Sequence, residues 1–511
     1  MAHLQSQTPS ISVRSTARTA RWRCFLMAAA ALQLSGCGGG EEAAPQASVG
    51  GAAPGLLAMQ PADPGAANCD SQVNDTQEKL LECVTLPGVR AHQAALAAIA
   101  KANGGTRVAG SPGFNASVAY ARQVLTEAGY RVSVQPFSFW APSILSSSLL
   151  EPGQATAAPL AHQVVDYSGS ADVTAPVSRP AEPAGCTASD FAGFVRGHIA
   201  LIRRGACDLT DKLSHAVTAG ASGLVIYSQD EDELTGSLSS DAPQNIPVVM
   251  VGEAVGEQLA QRTLTGEPLH LQTATARRLK TAYNVLAESV DGDASHVTML
   301  GAHLDSVRAG AGINDNGSGV AAVLETARQM ARVKPVNQMR FALWGAEEQG
   351  LLGSTYYVKK LDATQRAQIA LYLNFDMIGS PNPVFFVYGG DGSAGAQAIS
   401  SPALSAGIVA TLGDFYTQRQ LPFKRLDSGS RSDHLPFADV GIAFGGIFTG
   451  AEGIKTAVEA KTWGGTAGKA YDPCYHRACD TLANNSDAAL ETNAHAVAYA
   501  ALFYAMRKLP G

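Results

Sequence analysis

Apolar positions recur at helical spacing over 89–102 and again over 116–128. The second pattern stops at Gly129 and gives way to strand-like alternation over 130–137. Between about Pro159 and Leu271 the pattern shortens to extended runs over 197–205, 224–227 and 246–250, with one helical stretch over 211–220. Further on, unbroken apolar runs over 296–303, 338–345 and 369–375 predict buried strands, and 320–333 has helical periodicity. Strands alternating with helices predict an α/β fold, a mixed sheet between helices, interrupted by a small β-rich module. Internal repeats are absent.

Each of the three later strands delivers a residue able to bind a metal or move a proton. His303 stands at a strand end, where open α/β sheets build their sites. Asp305 lies two residues on, on the same side of an extended segment, placed to hold the imidazole N–H from behind rather than to bind metal itself. Asn314-Asp315-Asn316-Gly317-Ser318-Gly319 is a turn ahead of a helix, and an ordinary Asx turn would explain it equally well. Glu347 and Glu348 follow the second strand; adjacent carboxylates serve one site only if the chain has turned into a loop, which Gly345 and Gly350 permit. Asp376 ends the third strand, where a buried carboxylate must be paired, protonated or bound to metal. His476 lies between Cys474 and Cys479, a short loop that a disulfide would stiffen. Two metal ions roughly 3.5–4 Å apart need such nitrogen and oxygen ligands. The expected set is His303 and Asp376 on one ion, Glu348 and His476 on the other, Asp315 between them, and Glu347 left to carry protons.

The ordered set Gly-Ile-Asn-Asp-Asn-Gly-Ser-Gly (312–319), Trp-Gly-Ala-Glu-Glu (344–348), Leu-Asn-Phe-Asp-Met-Ile-Gly-Ser-Pro-Asn (373–382), Arg-Ser-Asp-His-Leu-Pro-Phe (431–437) and Cys-Tyr-His-Arg-Ala-Cys-Asp (474–480) resembles the secreted bacterial dizinc aminopeptidases. These leucine aminopeptidase-like zinc exopeptidases have a phosphorylase/hydrolase-like fold. The resemblance implies two Zn2+ per chain on the five ligands above and Glu347 as general base. It implies Tyr475 as a donor to the tetrahedral oxyanion, Arg431 beside the substrate's N-terminus, and Asp376 among the carboxylates that receive its amine. Residues 445–450, Phe448 included, would line the side-chain pocket, and His434 would be structural. Peptides with free N-termini, their first residue apolar, would be the substrates. A glutaminyl cyclase of the same fold with one zinc, or a receptor-like relative that has lost its metal, are the alternatives. Arg204-Gly205-Ala206-Cys207, Lys212 and Ala219-Gly220-Ala221 resemble a protease-associated domain.

Composition adds a destination. The chain has 511 residues, enough for two or three domains. Arg14, Arg18, Arg21 and Arg23 precede an apolar run over 25–34, too short to span a membrane but suited to a signal peptide. Leu34-Ser35-Gly36-Cys37 looks like a bacterial lipobox, with Cys37 lipidated as the only membrane attachment; ordinary cleavage and secretion is the alternative. Removing four arginines takes the net charge from −7 to −11, which argues against nucleic acid as a partner. Residues 37–67, rich in Gly, Ala and Pro, form a tether. The expected division is 1–36 signal, 37–67 tether, 68–158 and 272–511 peptidase, and 159–271 inserted module. Six cysteines remain, paired by proximity as 69–83, 186–207 and 474–479 in an oxidising cell envelope. Neither a calcium site nor an oligomeric state is legible.

Overall fold

The computed structural model describes residues 69, 71–152, 159–228, 234, 236–238, 245–390, 402–426 and 431–509. The signal over 1–36, Cys37 and the tether over 37–67 lie outside these residues. All the described residues fall in one compact unit, Gly55–Gly511.

Helices α1 (Gln77–Cys83), α2 (Leu86–Ala102) and α3 (Pro112–Glu127) come first. Thr85 and Ser111 cap the latter two, each side chain accepting a backbone N–H three residues on, with a proline in the first turn behind it. Next is β1 (Arg131–Leu150), far longer than the strand expected over 130–137. Its alternation continues through buried Phe137, Phe139 and Ala141 with exposed Ser138 and Trp140 between. The serines over 143–148 disguise the rest as a loop, yet pairing to a single partner strand holds them extended.

The inserted module is made of β2 (Gln163–Val164), β3 (Ala171–Ser178), β4 (Ile199–Arg203), α4 (Leu209–Ala219), β5 (Gly223–Tyr227), β6 (Val248–Val251) and α5 (Glu253–Thr265). β4, β5 and β6 are parallel and buried on both faces, each covered by its own apolar cluster. β7 (Pro268–Glu288) returns to the larger lobe. Its first residues pair with β3 and its last with a peptidase-side strand, while 277–284 pairs with β1 alone.

The larger lobe continues through β8 (Asp293–His303), α6 (Gly317–Gln329), β9 (Asn337–Trp344), α7 (Leu352–Lys360), α8 (Ala363–Gln368) and β10 (Ile369–Phe375). It ends with β11 (Phe386–Gly389), α9 (Pro402–Gln418), β12 (Lys424–Arg425), α10 (Leu435–Asp439), β13 (Ala443–Phe448), α11 (Ala457–Trp463) and α12 (Asp487–Met506). The strands order β12-β11-β13-β10-β8-β9-β7-β3-β4-β5-β6-β2, with β1 beside β7, a mixed thirteen-stranded sheet. β9, β8, β10 and β13 are mutually parallel. Alternation along them splits the core: Leu300, Phe341 and Leu373 face the main cluster with α2, α6, α9 and α12, whereas Met299, Trp344 and Tyr372 face Tyr357 and Phe437. Helices thus cover both faces of the central sheet, as the sequence pattern predicts. Disulfides join Cys69–Cys83, Cys186–Cys207 and Cys474–Cys479, the pairing expected from proximity. Among the described residues no helix is long and apolar enough to cross a membrane.

Candidate metal centre

The carboxyl ends of β8, β9, β10 and β13 lie side by side, and the side chains singled out in the sequence converge beyond them. His303 is the last residue of β8 and 1% exposed. Its Nε2 lies 3.1 Å from Asp315 Oδ1, 3.4 Å from Asp376 Oδ1 and 3.9 Å from Glu347 Oε2. The other oxygen of Asp315, Oδ2, is 3.1 Å from His476 Nε2, which is itself 3.1 Å from Glu348 Oε2. One carboxylate therefore faces two imidazoles, one with each oxygen.

Asp315 is held from three sides. The backbone N–H groups of Asn314 and Asp315 donate to the two oxygens of Asp480 at 2.7 and 2.9 Å. The Asn314 amide donates to Asp472 at 2.6 Å. Asn316 donates to the Phe375 carbonyl at 2.9 Å and accepts from Gly319 N–H, capping α6 against the end of β10. Only glycine fits at 319, where a Cβ would come within 2.2 Å of the Phe375 carbonyl oxygen. The turn that carries Asp315 is thereby tied to the strand that carries Asp376.

Glu347 and Glu348 serve one cleft because Ala346 takes a left-handed conformation, with φ at 57°. Gly345 has a different role from the expected freedom of turning: a Cβ there would come within 2.6 Å of the Tyr283 carbonyl oxygen. Met377 and His476 are left-handed too, at φ 50° and 59°. Such residues persist only where the surroundings dictate them, and they cluster at functional sites. Asp305 is buried, but its carboxylate is 3.8 Å from His303 Nδ1, longer than a hydrogen bond, and accepts the Glu347 N–H at 3.2 Å instead.

A cleft of about 450 Å³ opens over these groups, its walls including Met377, Phe386, Leu426, Phe448 and Tyr471. Tyr475 stacks on His476 with ring centroids 3.8 Å apart. Arg431 donates to Tyr475 Oη at 3.1 Å and to Glu452 at 2.6 Å. His434 stacks on Phe444 and packs against the tilted ring of Tyr388. Of the expected pocket segment, Phe448 reaches the cleft; Ile447 points into the main core, and Gly446 lets Tyr388 and the Asn374 carbonyl approach. Glu452, Phe386 and Tyr471 escaped the sequence reading because sheet pairing and loop return, not spacing, bring them here. Ser432 donates to Asp376 Oδ2 at 2.8 Å, and Asp433 accepts from Ser354 at 2.5 Å. Both stand inside a motif already singled out, which was the available signal.

The electrostatics are those of a crowded acidic cluster. Burial alone would lower the His303 pKa, yet Asp376, Glu347 and Asp315 hold it well above the usual imidazole value. Burial likewise opposes His476, and Glu348 and Asp315 outweigh it. Burial would raise Asp315, but hydrogen bonds from both imidazoles draw it below the ordinary carboxylate range. Glu347 is pushed well up by burial, then by Glu348, Asp433 and Asp376, against the pull of His303. Among the described residues, Glu348 Oε1 and Asp376 Oδ1 are buried and accept no hydrogen bond, Asp376 Oδ1 having only the ion-pair approach of His303. Buried carboxylate oxygens need a proton, a donor or a cation. Three groups of donors, His303 with Asp315 and Asp376, Asp315 with Glu348 and His476, and His303 with both glutamates, each lie within 4.8 Å. That set fits divalent cations accepting nitrogen and oxygen together.

Comparison with known proteins finds relatives for both parts of the chain. Residues 284–501 match peptidase family M28, and 173–259 match the PA domain. An aminopeptidase of Pseudomonas aeruginosa is 41% identical over 464 residues, covering 86% of this chain and 84% of its own. A probable lipoprotein aminopeptidase, LpqL, of Mycobacterium tuberculosis is 41% identical over 433 residues, covering 83% and 85%. Among solved structures, the aminopeptidase from Aneurinibacillus sp. strain AM-1 superposes with a TM-score of 0.65 at 27% identity, covering 85% of this chain and 97% of that one. BSAP, a zinc aminopeptidase from Bacillus subtilis, gives 0.64 at 25% identity, covering 81% and 94%. The chain belongs to peptidase family M28, with a PA domain inserted into its peptidase fold.

Proposed function

We propose that this chain is a zinc-dependent aminopeptidase that removes apolar N-terminal residues from peptides. The observation that carries the reading is Asp315, whose two oxygens each meet one imidazole at 3.1 Å beside Glu347. The names of its relatives and structural neighbours support it.

His303 and Asp376 would hold one zinc, Glu348 and His476 a second, and Asp315 both. Bound zinc supplies a Lewis acid and a water that loses its proton near neutral pH. Glu347 carries that proton to the departing amine, its side chain almost wholly enclosed by the cleft. Tyr475 Oη accepts from Arg431, which leaves its own proton to donate to an oxyanion. Glu452 offsets the Arg431 charge, so the guanidinium orients the hydroxyl without repelling a cationic substrate terminus. The surrounding carboxylates receive the α-ammonium group, and an acylated terminus lacks that charge. Met377, Phe386, Leu426 and Phe448 favour an apolar first side chain.

The inserted module is taken to extend over 159–271, since β2 and the first residues of β7 pair within it. Cys37 is taken as a lipid anchor placing the enzyme at the bacterial envelope, in keeping with the naming of the M. tuberculosis relative. Hydrolysis of aminoacyl-anilides against N-acetylated controls, with metal analysis of the same sample, tests the assignment. Two zinc ions per chain, chelator sensitivity and inert acetylated substrates are expected. Equal cleavage of acetylated substrates, or full activity without metal, would sink it.

A further inference from the structure

Arg107, in the connection between α2 and α3, is fully buried, and among the described residues no carboxylate lies within salt-bridge distance of it. Its guanidinium donates instead to three main-chain carbonyls: Nε to Ala311 at 2.9 Å, Nη2 to Gly312 at 2.6 Å and Nη1 to Leu304. Its own backbone joins in, the N–H donating to Ser306 Oγ at 2.9 Å and the carbonyl accepting the Ser306 N–H at 3.3 Å. All these partners belong to the loop that leaves β8 after His303 and returns to Asp315. The same loop rests on the other ligand segment, because a Cβ on Gly310 would come within 2.2 Å of the carbonyl oxygen of Arg477, the neighbour of His476.

We propose that Arg107 is a positioning residue that clamps both ends of the 304–312 loop, fixing the separation of His303 and Asp315 before any metal arrives. A planar fork is the group for this task. It offers five donors in fixed directions, whereas a lysine presents one charge on a flexible stem. Loop carbonyls satisfied by the fork cannot turn toward the cleft, so the two ligands keep their facing without help from zinc. The clamp rests on the metal-centre reading for its purpose, though not for its existence.

The experiment follows amide hydrogen exchange of the 304–314 segment in metal-free protein, alongside zinc affinity measured by competition with a chromophoric chelator. Arg107→Met and Arg107→Lys should both speed exchange at least tenfold in that segment while leaving β9 and α12 unchanged. Zinc affinity should fall about 10–100-fold, the usual range for an outer partner of metal ligands. Ser306→Ala, a milder change that spares the buried cation, should give a smaller rise in exchange at the same segment if the arginine variants do not fold. Unchanged exchange in a folded Arg107→Met or in Ser306→Ala overturns the clamp, and restoration by lysine would show that charge rather than the fork is required. A wild-type protein that binds no zinc would remove the functional reading, while the exchange data still decide the clamp.

Discussion

Glu347 sits between the ring of His303 and the carboxyl groups of Glu348, Asp376 and Asp433, and its proposed work depends on that position rather than on holding metal. Glu347→Ala should therefore keep its zinc and lose roughly 10²–10⁴ in kcat. Metal analysis beside turnover checks both halves; unchanged turnover would assign the proton transfer elsewhere. At this scale the sequence was informative wherever an acid or imidazole closed an apolar run, as at His303 and Asp376. It was silent for Arg107, whose partners are main-chain carbonyls that leave no trace in residue type. Asp305 illustrates a subtler gap: spacing put it on the side of His303, but only the turn at Ala346 brings the Glu347 N–H to its carboxylate.

Elements carry the site only where something fixes their ends. The Cys474–Cys479 bridge closes a five-residue separation around His476. Loop entropy for so short a ring is worth about 2 kcal/mol. Replacing both cysteines by serine should lower stability by about that much and weaken zinc binding, which denaturant titration and chelator competition would measure separately. Elsewhere α2, α3 and α6 meet over a buried polar cluster. His92 contacts Tyr120 at 2.6 Å and Glu325 at 3.2 Å, and Glu325 also accepts from Gln329 at 2.8 Å. Burial would raise Glu325, yet these partners and Arg328 hold it below the ordinary carboxylate value of 4.5. A depressed carboxylate contributes stability above its unfolded pKa and loses it as pH falls through the folded one. Wild type should accordingly lose stability on acidification below about pH 4.5 more steeply than Glu325→Gln, in denaturant midpoints taken across that range. Helices α2, α3, α4 and α6 and the three ligand-bearing strands were legible from periodicity within a few residues, whereas α9 and α12 were not singled out. The second half of β1 was not legible, since pairing with β7 rather than burial maintains its serine-rich stretch.

Across the whole molecule the two lobes have separate cores, one around α2, α6 and α12 and the other around β4, β5 and β6. Zinc that binds only the folded larger lobe should stabilise it by about 2.7 kcal/mol at a hundredfold excess over its dissociation constant. Calorimetry should show chelation moving that lobe's transition and leaving the module's in place; a common shift would mean the two melt as one. Contact between them includes Arg308, on the loop between His303 and Asp315, which approaches Asp166 at 3.5 Å. With the arginine largely exposed, the pair is worth at most about 1 kcal/mol. The β1–β7 ribbon is the more substantial link, and its strands run antiparallel, so the polypeptide departs for the module and comes home at neighbouring points, Phe137 opposite Ala282. A cassette wired in this way can be excised by a short hairpin without rethreading the rest. The module is thus separable in chain path from the strands that build the metal centre.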